Sequence, residues 1–255
     1  MRNGLKGLVP WILPALLLVA WQLAAQGGLL SSRVLPALTD VVGAGWRLAA
    51  SGELYGHIRI SFLRAATGFA IGGGIGFTLG LLNGLSGTAE RLLDSSLQMI
   101  RNVPHLALVP LVILWFGIDE EAKLFLVALG VFFPIYLNTF HGIRGVDRQL
   151  VEMGRSYGMT RRTLLTQVIL PGALPSVLVG LRYALGIMWL TLIVAETIAA
   201  TSGIGYLAMN AREFMLVDVV VLSILIYALL GKLADSSARA LERLCLQWHP
   251  AHQRP

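Results

Sequence analysis

Cysteine is nearly missing from this 255-residue sequence. Cys245 stands alone, which excludes an intramolecular disulfide and any metal site built on a cysteine pair. The five histidines, His57, His105, His141, His249 and His252, are scattered. No set of His, Cys or carboxylate residues within the apolar segments has metal-binding or catalytic spacing. Charge is scarce as well, at 13% Asp, Glu, Lys and Arg, where soluble domains carry about 25%. A phosphate-binding G-x-x-x-x-G-K-[ST] loop is absent, because Gly231-Lys232 lacks both the earlier glycine and the following hydroxyl. Internal repeats, low-complexity tracts and linkers long enough to separate domains are lacking too. Metal catalysis and nucleotide hydrolysis therefore have no seat here.

Apolar side chains are present in excess. They make up 56% of the chain, with a mean hydropathy of +0.72, which places it in the membrane class. Six apolar segments are expected to cross a bilayer: roughly Leu8–Ala25, Ala65–Leu85, His105–Gly117, Leu124–Phe140, Pro175–Thr197 and Val217–Ala234. The third is short and interrupted by Pro104 and Pro110, an arrangement tolerated where neighbouring helices or a cavity satisfy the freed backbone groups.

An even number of crossings puts both termini on one side, and the basic residues choose which. With the termini inside, the cytoplasmic set is Arg2, Lys6, Arg91, Arg101, Arg144, Arg148, Arg155, Arg161, Arg162, Lys232, Arg239, Arg243 and Arg254. The outer set is Arg33, Arg47, Arg59, Arg64, Lys123 and Arg212, about half as many, so both termini are expected to be cytoplasmic. The net charge of +6 follows from that asymmetry and needs no nucleic acid. A cleaved signal peptide is the alternative for the first segment; it would leave five crossings and the later topology unchanged. Trp11, Pro14 and Trp21 interrupt its apolar run.

Gly68, Gly72, Gly76, Gly80 and Gly84 recur every four residues in the second segment. Glycine is a poor helix former, so this spacing points to a groove where another helix backbone approaches closely, within the chain or across a dimer seam.

The stretch from Glu152 to Pro171 is a polar, arginine-bearing excursion between apolar segments. Asp147 is suited to N-cap a short helix running to about Tyr157, and Gly158 to the left-handed position that ends it. Thr160 is suited to cap a second short helix, expected to stop at Leu170-Pro171 as the chain re-enters the membrane. Leu150, Val151, Leu164, Leu165, Val168 and Ile169 give these helices apolar faces. Such a hairpin is either a solvated connection or a docking element.

The spacing Glu152, five residues, Gly158, nine residues, Val168, one residue, Leu170-Pro171 resembles the "EAA" loop of ABC importer permeases. That loop reads Glu-Ala-Ala, three residues, Gly, nine residues, Ile, one residue, Leu-Pro; here Met153 and Gly154 replace the alanines and Val168 stands for Ile. Asn102–Asp119, Phe133–Arg144, Leu170–Glu196 and Gly203–Phe214 are similar to the nitrate/sulfonate/taurine branch of these permeases, and most like its aliphatic-sulfonate members.

The resemblance implies a single all-α transmembrane permease domain over 1–255, of the type I importer (MetI-like) architecture, in a bacterial inner membrane. Within it, 142–172 would be the cytoplasmic coupling loop, with Glu152, Gly158, Val168, Leu170 and Pro171 as the ATPase-coupling residues. It further implies a homodimer with two separate ATPase subunits, which would bind ATP and Mg²⁺, and a periplasmic substrate-binding protein. No cofactor is expected on this chain itself.

Polar residues in the membrane are functional candidates. Arg182 and Glu196 lie on one expected segment, about 21 Å apart along a helix, so they cannot pair with each other. Arg182 either attracts a passing anion or snorkels to the headgroups. Glu196 lies near the outer end, where it either borders the substrate path or anchors a neighbouring helix. His105, Trp115 and Trp189 read as structural. Asn210 and Arg212, in the matched outer segment, are candidates for a gate or a binding-protein contact. Taurine, nitrate or another small anion is the alternative cargo, and an ion-coupled secondary transporter the rival mechanism. For the latter, Glu196 is the only deep carboxylate.

Overall fold

The computed structural model describes the backbone of residues 2–248 and, from Ile12 onward, their side chains except that of Ala199. The side chains of Arg2, Lys6 and Trp11, and all of His249, His252 and Arg254, lie outside the described residues. The described residues are helical, without strands: α1 (Arg2–Gln26), α2 (Leu38–Ala50), α3 (Glu53–Leu85), α4 (Gly87–Arg101), α5 (Val109–Phe116), α6 (Glu120–Arg144), α7 (Arg148–Ser156), α8 (Arg161–Leu164), α9 (Leu170–Ala199), α10 (Ile204–Glu213) and α11 (Val217–Cys245).

Four helices are long and apolar enough to cross a membrane: α3, α6, the continuous run Arg161–Ile198 and α11. The expected third crossing is not a span of its own. Pro104 sits extended (φ −61°, ψ 112°) before a 3₁₀ turn at His105–Leu108, and α5 adds eight residues, about 12 Å of helix and too short to cross. Together with α4 this stretch makes a pair bent by 78°, either a re-entrant loop or a broken span that would make a fifth crossing. The first expected crossing, Leu8–Ala25, rests on α1, whose described apolar stretch is Ile12–Gln26.

Two boundaries also differ from expectation. Helix α3 begins at Glu53, ahead of the expected Ala65, so Arg59 and Arg64 of the outer set lie inside it, and Lys123 lies inside α6, which begins at Glu120.

The chain divides into two compact units. One comprises residues 1–61 and 201–228. Its core is Ala44, Leu207, Ala211 and Val219, and Arg47 of α2 pairs with Asp218 of α11 at 2.9 Å. His57 and Ser61, one turn apart on α3, accept the backbone N–H groups of Gly203 (3.0 Å) and Ile204 (2.8 Å). They thereby satisfy donors that the start of α10 would otherwise leave unpaired.

The other unit comprises 62–200 and 229–255. Helices α6 and α9 pack along their length, and the glycine face of α3 lies on α6. A methyl at Gly72 would run into the backbone carbonyl of Ala128. One at Gly76 would meet the Phe132 carbonyl oxygen at 2.6 Å and one at Gly80 the Tyr136 carbonyl oxygen at 2.7 Å. At Gly68 and Gly84 the obstacles are the side chains of Val127 and Ile143. The repeat of four thus presents one bare backbone strip to a second helix of the same chain.

Candidate functional site

Helix α7 starts where Asp147 accepts the Gln149 N–H at 2.8 Å. At its end the Met159 N–H reaches the Gly154 carbonyl (3.0 Å) and the Gly158 N–H the Arg155 carbonyl (2.9 Å). This 6→1 and 5→2 pair, with Gly158 at φ +76°, is a Schellman ending. Thr160 caps α8, accepting the Thr163 N–H at 3.2 Å.

The second helix does not stop at Pro171. After the four residues of α8 the chain widens into a π-helical turn over Leu165–Ile169 and runs on into α9. A proline has no N–H to donate and its ring crowds the carbonyl four residues back. The π turn accommodates this by moving the register one residue, so Pro171 enters at the start of α9 and the helix continues.

Three features of this loop escape sequence reading. Leu150, Met153 and Tyr157, spaced i, i+3, i+7, form an apolar stripe that is 47%, 52% and 81% exposed. Glu152 lies beside it and lines a recess of about 300 Å³ with Arg144, Arg148 and Arg155. Gly154, in place of the resembled alanine, is buried where α7 meets α8: a methyl there would come within 2.8 Å of Leu164 Cδ1 and 3.1 Å of Met159 Sδ. Of the other coupling candidates, Val168, Leu170 and Pro171 are half-buried along the π turn and the start of α9.

The path candidates are not brought together. Glu196 is fully buried and holds Arg64 Nη1 at 2.8 Å. Arg64 also meets both carboxylate oxygens of Glu120, through Nε at 2.6 Å and Nη2 at 2.5 Å. Lys123 Nζ adds a bond to Glu120 at 3.2 Å and to the carbonyls of Ile118 and Asp119. Two cations and two carboxylates thus bind α3, α6 and α9 together, which is the anchoring arrangement, with partners that periodicity alone cannot name.

Arg182 pairs instead with Asp235 of α11 at 2.7 Å and lines a cavity of about 610 Å³. Asn210 and Arg212 lie on α10 in the other unit, where Asn210 reaches the Tyr206 hydroxyl and Arg212 is exposed. His105 shares a 3.1 Å hydrogen bond with the buried Thr191. No group of three His, Cys, Asp or Glu residues able to hold a metal occurs among the described residues.

Residues 72–245 match the family described as the binding-protein-dependent transport system inner membrane component. The chain belongs to that family.

Its relatives include the aliphatic sulfonates transport permease SsuC of Escherichia coli (strain K12), 64% identical over 99% of this chain and 96% of that one. The protein of the same name from Bacillus subtilis (strain 168) is 48% identical over 98% and 89%. The taurine transport system permease TauC of E. coli is 36% identical over 92% and 87%. Among solved structures, an amino acid ABC transporter chain matches with a TM-score of 0.63 at 18% identity, covering 77% of this chain and 96% of that chain. A chain of the inward-facing MetNI methionine ABC transporter matches at 0.55, also at 18% identity, covering 78% and 97%; at such identity these two speak for the fold alone. As an inner-membrane component of this family, the chain is a multi-pass ABC permease, a transport subunit and not an enzyme. ABC importer permeases work with ATPase subunits.

Proposed function

We propose that this permease imports aliphatic sulfonates, as a homodimer driven by two copies of a separate ATPase that carries ATP and Mg²⁺ and supplied by a substrate-binding protein on the outer face. Both termini and the 142–172 loop face the cytoplasm, in keeping with the basic residues. The sulfonate reading is supported by the 64% identity to the E. coli permease named for that cargo.

The coupling reading rests on the α7 stripe. A helix capped at both ends offers Leu150, Met153 and Tyr157 to a partner, with Glu152 at its edge. Exposed aromatic and Met side chains of this kind anchor protein interfaces. A short, doubly capped helix suits the task, since it passes on a rigid-body displacement with little deformation of its own.

Deleting the gene should abolish sulfur-limited growth on alkanesulfonates and leave growth on taurine intact. The reverse pattern would assign the cargo to taurine. For coupling, Glu152→Ala and Tyr157→Ala should reduce ATPase capture and uptake by about tenfold or more while membrane insertion stays normal. Normal capture and uptake by both variants would exclude this loop as the docking element. Uptake that follows an ion gradient without ATP would replace the mechanism with a secondary transporter.

A further inference from the structure

The cavity that Arg182 lines lies between α9 and the C-terminal part of α11 and has two chemically distinct parts. Its apolar walls are Val179, Ile187 and Leu190, and its polar end is Arg182, Asp235 and Glu242. On α9, Ile187 and Leu190 lie five and eight residues beyond Arg182, about 7–12 Å along the axis. Tyr183 and two glycines, Gly186 and Gly231, complete the lining, and an added methyl at either glycine would meet nothing within 4 Å. The space is therefore kept open by missing side chains on both helices, within the size range of small-molecule sites.

The polar end carries a positive surplus. Asp235 takes Arg182 Nε on one oxygen and Arg239 Nη2 on the other, each at 2.7 Å. Lys232, one turn earlier on α11, adds its charge to the same carboxylate. Three cations thus bear on Asp235, and Glu242 is the second carboxylate of the lining, which leaves one positive charge unmatched. A guanidinium has five N–H donors, and the bond to Asp235 uses one of those on Arg182. Asp235 holds both arginines in place, so their remaining donors are pre-oriented for a further anion.

We propose that this cavity is a cargo site within the permease itself, where an alkanesulfonate places its head against Arg182, beside the Asp235–Arg239 pair, and its alkyl chain along Val179, Ile187 and Leu190. The inference rests on the sulfonate reading above. A sulfonate is a singly charged anion with three acceptor oxygens, which matches both the surplus charge and the donor set. The apolar walls beside the charge make the site selective for a chain-bearing anion over inorganic sulfate. An anionic phospholipid shares this chemistry, so the experiment separates the two.

The permease–ATPase complex, assembled in phosphatidylcholine nanodiscs without binding protein, is titrated with ethane-, butane- and octanesulfonate. Affinity should rise by up to about fourfold per added methylene until the cavity is filled. Arg182→Met should weaken every sulfonate by about tenfold, and Arg182→Lys less than that. Gly186→Leu should weaken octanesulfonate by about tenfold and leave ethanesulfonate within about twofold. Should Arg182→Met fail to assemble, Gly186→Leu carries the test alone. Wild-type affinities in both Arg182→Met and Gly186→Leu would overturn the site. So would sulfonate binding that phosphatidylglycerol abolishes while an Arg182-dependent phosphatidylglycerol remains bound in native mass spectra. A parallel uptake assay with binding protein separates the two readings. If wild-type proteoliposomes take up no sulfonate, the cargo reading fails; if they do while the variants bind normally, the site alone fails.

Discussion

The Leu170 N–H donates to the carbonyl of Leu165, five residues back, one position before Pro171. That single wide turn sets how α7 and α8 are rotated relative to α9, because each residue of register is worth about 100° of rotation about the helix axis. Pro171→Ala restores a donor and permits an ordinary α-turn, which would rotate α7 and α8 about the axis of α9. The expected outcome is a complex that still binds its ATPase but transports several-fold less substrate per ATP hydrolysed. The ratio of uptake to hydrolysis in proteoliposomes measures it.

Gly154 and Gly158 should respond to alanine with opposite signs. At Gly158 (φ +76°) a side chain meets nothing, yet the left-handed backbone is strained for any residue with a Cβ. Gly158→Ala should destabilise the loop by about 1 kcal/mol. At Gly154, inside α7, the backbone is helical and the atoms in the way are the ends of Leu164 and Met159, which can shift. Gly154→Ala should be neutral or stabilising by about 0.5–1 kcal/mol through helix propensity. Protease protection of the loop in detergent-solubilised permease reads both.

Substitutions along α3 should divide by face. Gly72→Ala places a methyl against the Ala128 backbone, which cannot move aside as a side chain can, whereas Gly74→Ala meets nothing within 4 Å. The first should lower stability by about 1–3 kcal/mol and the second should be neutral or better. Thermal unfolding in detergent checks the contrast.

Arg64 should tolerate loss of its two carboxylates unequally. The Glu196 side chain is 0% exposed and that of Glu120 is 55% exposed. Glu196→Gln leaves a buried guanidinium partly uncompensated and should cost about 3–5 kcal/mol, whereas Glu120→Gln should cost about 1 kcal/mol or less. An Arg64→Leu/Glu196→Leu double variant should be more stable than either single change. Unfolding of the wild type, the two Gln variants, the two single Leu variants and the double Leu variant in one detergent decides the order.

How much of this was legible in the sequence depends on how local the cause is. Asp147, Gly158 and Thr160 occupy the capping positions their chemistry suggests, because a cap is decided within four residues. The glycine repeat announced a close helix approach, but only the fold names α6 as the partner. Pro171 was read as a stop, since a proline ends an ordinary α-helix; the π turn that admits it depends on the surrounding packing. His105–Gly117 was read as a crossing from its hydropathy, which carries no information about the 78° bend before it. Arg64 and Lys123 were placed in the outer set because charged residues are expected outside the bilayer, and their compensating partners are up to 132 residues away in the chain. Arg182 was singled out, but Asp235 and Gly231 on α11 and Gly186 on α9, which shape its cavity, were not.

The bare strip on α3 has a mechanical consequence. With the Ala128, Phe132 and Tyr136 carbonyls of α6 set against Gly72, Gly76 and Gly80, sliding α3 along α6 by one residue would drive side chains into backbone. Shear is blocked at that seam, and the two helices behave as a single stiff lever. A tilt imposed at the Arg144 end of α6 would then carry α3 with it as far as Glu120.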